Sequence, residues 1–505
     1  MTRDRRTPVL IALILTMALV AMDTTIVATA IPQVVADLGG FSAVGWVFSV
    51  YLLAQTVTIP VYGKLADLYG RKPVLVVGVS IFLLGSLLSA ASPDMLTLIL
   101  FRALQGVGAG AIGATVNTIA GDLYSVAERG RVQGWLASVW GISAVAAPTL
   151  GGLFAQYLSW RWIFLVNLPL GALALTLIVR GLHEDVIRRR HRIDYAGTVL
   201  LLIAASLLIL GLLQGGTAWA WDSVTSVVVF ALAIGAGAAY VLVEHRAAEP
   251  MMPPWLWRTR VTAGSYLATL TAGLMVIGLS VFLPNWGQIV LGLPPVSAGF
   301  VLAAMSITWP TASGLSARLY LRIGFRDTAL VGAVFALLAG VVFALLGPGA
   351  PVWQPVLGAA LLGAGMGLIT SPLMVGLQST VGWGERGVVT GGAVFARFLG
   401  QSVGAAVFGA LTNAVLLDRL ATAPAGLAED LPTDVDGVSA YLAEAHPRPE
   451  VAEFLRLAVH DATHAVFLGL LVAAVLTVLA LVFVVPRRFP TVAEDPNPTS
   501  APPSR

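Results

Sequence analysis

A chain of 505 residues with 57% apolar side chains, 11% charged side chains, a net charge of +3 and a mean hydropathy of +0.87 cannot cover the surface of a soluble fold, where about 25% of residues are charged. Its apolar residues fall in runs of about 20, enough to cross roughly 30 Å of hydrocarbon as a helix, and the alternating segments of about 10 residues that build a membrane barrel are missing. The absence of cysteine excludes disulfides, thiolate metal sites and cysteine nucleophiles.

In chain order the apolar runs predict fourteen membrane helices, at about 9–31, 46–63, 74–92, 96–120, 132–157, 162–181, 196–214, 223–243, 262–284, 296–317, 328–347, 353–378, 389–413 and 460–485. Arg3, Arg5, Arg6 and the small-residue triplet Ala28-Thr29-Ala30 imitate a cleaved signal peptide. The run between them is long for one and contains Asp23, so a retained first helix is expected. Lys and Arg test this map independently, because they concentrate on the cytoplasmic side of short connections. With the N-terminus inside, only Arg161, Arg419, Arg448 and Arg456 fall outside, and only Arg102 and Arg397 lie within spans. A missed or invented helix would invert the pattern downstream of the error. Both termini are therefore expected in the cytoplasm.

Two basic connections divide the chain. The expected plan is a six-helix bundle (1–181), a linker (182–195), two inserted helices (196–243), a second linker (244–261) and a second six-helix bundle (262–485). A long outer loop at about 414–459 carries eight Asp/Glu against three Arg, and Pro449-Glu450 suits the start of a helix running into the last span. The tail, 486–505, is rich in Pro, Ser and Thr and is expected to be disordered. Trp219, Trp221, Trp255 and Trp257 read as interfacial anchors.

Between the second and third helices stands Gly63-Lys64-Leu65-Ala66-Asp67-Leu68-Tyr69-Gly70-Arg71-Lys72-Pro73. A basic turn explains the cations but not the ordered G-x-L-A-D-x-x-G-R-K. That string resembles the signature loop of the major facilitator superfamily, and a weaker echo from Gly314 to Arg326 follows the tenth helix, as repeated halves would have it. The run from Met22-Asp23-Thr24 to Pro32 resembles the first-helix motif of the fourteen-spanner drug:proton antiporter family. Arg102-Ala103-Leu104-Gln105-Gly106 resembles its fourth-helix motif. Ala147-Pro148-Thr149-Leu150-Gly151-Gly152 resembles its antiporter motif in helix five. The chain departs from the pattern at Ala28, where the family has Asn, and at Ser143 and Ala147, where it has Gly. The helix-five changes stay small enough for close packing.

The resemblance implies an all-α major facilitator fold, two six-helix bundles plus two inserted helices, and a monomeric secondary transporter in a bacterial cytoplasmic membrane. The ratio of 27 Arg to 2 Lys fits a GC-rich bacterium. Asp23 is the one acidic residue deep within a span, where a charge costs about 2.5–3.5 kcal/mol on insertion scales. It is expected to carry protons in a central cavity; the bland alternative is a structural carboxylate paired with an Arg. The resemblance makes Arg102 its partner in proton coupling, against the alternative of an anchor near the outer face. It also makes Gly63, Asp67, Gly70, Arg71, Lys72 and Asp122 a cytoplasmic gate, with Asp67 facing the amides at the start of the helix at 389–413 and Arg71 reaching Asp122. Pro148, Gly151 and Gly152 form the antiporter motif. Gln55, Asn117, Gln288, Gln378, Arg397 and Gln401 are polar candidates for the cavity; the alternatives are bridges between helices for the amides and, for Arg397 near the cytoplasmic side, a snorkelling anchor. His460, Asp461 and His464 at helical spacing read as a wet helix end rather than a metal site.

The expected function is proton-coupled export of amphipathic or cationic small molecules, with protons as coupling ion and no other cofactor. No Walker-type string occurs, so no nucleotide engine is expected, and neither is nucleic acid a partner. Export of one dedicated compound, such as an antibiotic, siderophore or lipid, is the alternative. A membrane-embedded enzyme would need a convergent catalytic constellation, and only Asp23 lies at depth.

Overall fold

The computed structural model describes residues 3–40, 43–184, 194–216, 218–247, 249–424, 427, 431–432, 435–442 and 448–492. Its first half holds α1 (Arg3–Leu38), α2 (Val44–Tyr69), α3 (Arg71–Ala90), α4 (Met95–Leu123), α5 (Val126–Tyr157), and the short α6 (Trp162–Leu165) running into α7 (Asn167–Gly181). α8 (Tyr195–Gln214) and α9 (Val224–Glu244) follow, then the short α10 (Trp255–Arg258). The second half holds α11 (Arg260–Ile289), α12 (Pro295–Ile323), α13 (Phe325–Ala344), α14 (Trp353–Ser379), α15 (Arg386–Ala421), the short α16 (Val435–Leu442) and α17 (Pro449–Leu479). Among the described residues, fourteen helical segments are long and apolar enough to cross a membrane, with α6 and α7 counting as one. The fold is all helical, as expected.

Several helices outrun their apolar stretches. α1 reaches from Arg3 to Leu38 where 9–31 was expected, and α15 and α17 extend into the expected outer loop at 414–459. Hydropathy marks the hydrocarbon, whereas a helix continues while its backbone bonds and side-chain pairs hold. Arg419 near the end of α15 pairs with Asp461 on α17 at 2.7 Å, tying the two extensions together. Pro449 does open α17. Linker positions 185–193 and tail positions 493–505 lie outside the described residues.

Each bundle has its own core. Leu13, Phe82, Ile112 and Ile178 pack in the first, and Met275, Trp286, Phe343 and Phe467 in the second. Helix starts are capped locally: Asp94 accepts from the Thr97 amide at 2.9 Å, and Ser125 and Glu128 form a reciprocal capping box on α5. The two halves repeat a detail of the turn after their second helix. Gly70, between α2 and α3, has φ 96°, and Gly324, between α12 and α13, has φ 89°. Only glycine adopts this backbone without strain.

The bundles meet through two antiparallel helix pairs, α2 with α15 and α5 with α12, which exchange places under the repeat. Both seams are lined with small residues. A Cβ on Gly63 would lie 2.6 Å from the Gly387 carbonyl, and one on Gly134 would lie 2.9 Å from the Pro310 carbonyl. α8 covers the first seam: Ala205 and Ile209 pack with Val57 of α2 and against Phe395 and Leu399 of α15. α9 packs on α8 and remains mostly exposed, as a lipid-facing helix would.

Candidate functional site

The basic end of the molecule is sealed by charges that the chain brings from four helices. At the end of α2, Asp67 points both carboxylate oxygens at the start of α15. Oδ1 accepts from the Gly387 amide and Oδ2 from the Val388 amide, each at 2.8 Å. A helix N-terminus offers unpaired amides and a partial positive charge, so a buried carboxylate is held there by charge-assisted bonds. Arg71, 1% exposed, sits one turn away and pairs with Asp67 Oδ1 at 3.0 Å. Its Nε donates to Asp122 Oδ2 at 2.8 Å, and its guanidinium lies 3.6 Å from the centre of the Trp383 ring and donates to the Trp383 carbonyl. Arg386, at the first residue of α15, reaches Asp122 Oδ1 at 3.0 Å, so Asp122 bridges the two bundles. Gln378 of α14 donates to the Asn117 carbonyl of α4 at 3.0 Å and to Thr390 at 3.1 Å.

The geometry joins Asp67, Arg71 and Asp122 as the sequence reading arranged them. Trp383, Arg386 and Glu184 were not foreseen. Glu184 accepts from the Arg71 and Lys72 amides at 2.9 Å each, completing the start of α3, while the Lys72 ammonium donates to the Val179 carbonyl at 2.8 Å. These residues come from the far bundle or from the first linker, and no local pattern in the sequence announces them.

A second cluster lies inside the first bundle. Asp23 is 0% exposed and Arg102 1% exposed. Arg102 Nη1 donates to Asp23 Oδ2 at 2.5 Å and to Gln105 Oε1 at 2.8 Å; Gln105 Nε2 donates to Asp23 Oδ1 at 2.8 Å. Asn167 adds a longer contact at 3.4 Å. The Tyr51 ring lies 4.1 Å from the guanidinium. At an effective dielectric of 20, the pair attraction is about 7 kcal/mol, close to the combined insertion cost of two charges at about 3 kcal/mol each. The side-chain amides of Gln105 and Asn167 add hydrogen bonds to this nearly balanced pair. The structure thus places Asp23 beside an Arg, in the arrangement of the bland reading, and turns Arg102 inward, away from the anchor alternative.

The remaining candidates scatter. Gly151 packs α5 against α1, where a Cβ would lie 2.9 Å from the Ile26 carbonyl; Pro148 lies within α5, and Gly152 faces open space. Asn117 and Gln378 belong to the seal rather than to an open cavity. Gln55 is 1% exposed on α2. Gln288 stands at the far end of α11, away from the others. Arg397 and Gln401 lie half-buried one turn apart on α15. His460 accepts from Trp286 Nε1 at 3.1 Å, His464 Nε2 contacts the Ala344 carbonyl at 2.8 Å and Asp461 holds Arg419, while the two imidazole rings stack at 5.8 Å.

The family model described as Major Facilitator Superfamily matches residues 13–405. The chain belongs to the Major Facilitator Superfamily. Members are membrane transporters, and this one is a multi-pass membrane protein. It is 31% identical to "Multidrug resistance protein 3" of Bacillus subtilis (strain 168), over 96% of this chain and 96% of that protein. It is 33% identical to "Multidrug transporter protein MdtP" of the same organism, over 83% of this chain and 78% of that protein. The crystal structure of the human organic anion transporter MFSD10 superposes with a TM-score of 0.63 at 15% identity, covering 95% of this chain and all of that one. That likeness carries the superfamily fold and nothing about cargo.

Proposed function

We propose that this Major Facilitator protein is a proton-driven exporter of amphipathic small molecules, placed in a bacterial cytoplasmic membrane with its basic end and both termini inside. Three things support the reading: the clustering of Lys and Arg at one end, the printed names of the two Bacillus relatives, and the sealed gate at the basic end. The single observation that carries proton coupling is Asp23. It is a fully buried carboxylate paired, among the described residues, with Arg102 alone, on another helix. Proton entry neutralises Asp23 and releases the Arg102 guanidinium to rearrange. Loss of the proton restores the pair, so two protonation states correspond to two packings of α1 against α4. Protons are the coupling ion, and one polypeptide contains both bundles and so suffices for the cycle.

The deciding experiment is dye export from proteoliposomes with and without an imposed pH gradient. Uphill movement only with the gradient is the expected result, and Asp23→Asn should abolish it. Undiminished gradient-driven export by Asp23→Asn would remove Asp23 from the mechanism, and export indifferent to the gradient would end the proton-driven reading.

A further inference from the structure

Arg397 is a permanent charge with no counter-charge among the described residues. It stands eleven residues beyond Arg386, about 16 Å along α15 at 1.5 Å per residue, and about 12 Å inside the expected span 389–413, within a hydrocarbon layer of about 30 Å. Its side chain makes no hydrogen bond or ion pair with any described residue. Nε is buried without a partner, and the guanidinium lies 5.3 Å from the ring of its neighbour Phe398. The carboxylates at comparable places are already committed. Asp23 is held by Arg102, Asp67 by Arg71 and the α15 amides, and Asp122 by Arg71 and Arg386.

The helix phase points Arg397 toward the meeting of the bundles. Val394 and Phe398 pack against Ile59 of α2 and Ala114 of α4. Thr390, two turns before Arg397 on nearly the same face, takes the Gln378 bond that also reaches α4. Gln401, one turn beyond, continues this polar line outward and is half-buried. The hydrogen bonds that join the bundles lie at the basic end, below Arg397, so the guanidinium sits just above the seal.

A lone Arg at this depth costs about 2.5–3.5 kcal/mol on insertion scales, and its planar fork of donors matches a carboxylate, sulfonate or phosphate. We infer that Arg397 is the docking point for an anionic group on the cargo, so that the transported amphipaths include organic acids or zwitterions. This deepens the exporter reading and rests on it for the word cargo, but it does not depend on proton coupling. It also reverses the expectation of cationic cargo. That expectation came from Asp23, whose charge Arg102 already neutralises within its own bundle.

The test is equilibrium binding of two dyes that differ only in the relevant group, tetramethylrhodamine with its free carboxylate and the same dye as its methyl ester. Full-length protein in phosphatidylcholine nanodiscs is used, with empty nanodiscs subtracted and no gradient present. Wild type should bind the acid at least about tenfold more tightly than the ester. Arg397→Gln should weaken the acid about tenfold and leave the ester within about twofold, which also shows that the variant is folded. Arg397→Lys, which keeps the charge without the fork, should fall between. A wild type that prefers the ester or binds neither dye overturns the inference, as does an Arg397→Gln change that weakens both dyes equally or neither. Gradient-independent dye movement in the proteoliposome experiment would sink the proton-driven reading alone and leave this one standing.

Discussion

At the scale of single residues, the two charge clusters differ in what removing one member does. Asp23 and Arg102 form a pair whose attraction about equals their combined cost of entry, so deleting either leaves a buried charge alone. Arg102→Gln is expected to destabilise the protein by about 3–5 kcal/mol, and Asp23→Asn to do the same, whereas the double variant should lie closer to wild type than either single change. Thermal unfolding in detergent reads this, and additive losses would mean that the two side chains do not act as a pair. Asp67 instead makes two bonds to backbone amides of the other bundle. Asp67→Asn replaces one acceptor oxygen with a donor aimed at an amide. It should cost the sealed conformation, in which those bonds are made, about 1.5–3 kcal/mol. Transport should fall severalfold while equilibrium dye affinity stays within about twofold. Equal loss of both would mean that Asp67 holds the fold and not a gate.

At the scale of elements, the seal depends on how closely α2 and α15 approach. A Cβ on Gly63 would meet the Gly387 carbonyl at 2.6 Å and the Gly391 Cα at 3.3 Å. Backbone atoms cannot yield as a flexible side chain can, so Gly63→Val should push the seam apart. Because the chain has no native cysteine, the opening is readable with one introduced thiol. Thr390→Cys, buried in the seal at 0% exposure, should resist a membrane-impermeant maleimide in the parent and react at least about tenfold faster beside Gly63→Val. Unchanged protection would show that the seam tolerates the added bulk. These elements were legible in the sequence to different degrees. The spans were, because crossing hydrocarbon demands length and apolarity of each helix separately. The loop from Gly63 to Pro73 was, because a glycine turn and an anchoring carboxylate must lie at fixed spacing. Trp383, Arg386 and Glu184 were not, since each joins the gate across more than a hundred residues of chain and nothing nearby in sequence requires it. Gln105 was written into the fourth-helix motif, but only folding sets it opposite Asp23. The ends of α1 and α15 were missed because hydropathy is blind to helix that projects beyond the membrane, whereas Pro449 marked the start of α17.

At the scale of the whole molecule, the repeat explains why one seal implies a second conformation. The α2–α15 and α5–α12 seams correspond under the repeat, and each crosses between bundles that otherwise keep separate cores. The bonds between bundles gather at the basic end: Asp67 to α15, Arg71 to Trp383, Arg386 to Asp122, Gln378 to Asn117, and Tyr320 of α12 to the Gly130 amide of α5. Rigid bundles fastened at one end can rock about the middle of these seams, with Arg397 near the pivot, as alternating access requires. Rocking makes the two ends of one seam move in opposite senses. Spin labels at Ala127 and Arg322 would report the basic end of the α5–α12 seam, and labels at Gln156 and Val296 the far end; all four positions are exposed. Conditions that protonate Asp23, or the added bulk of Gly63→Val, should lengthen the first distance and shorten the second by several ångströms. If the two distances change in the same direction, the bundles breathe rather than rock. If neither changes under either condition, the bonds at the basic end are a permanent fastening and not a gate.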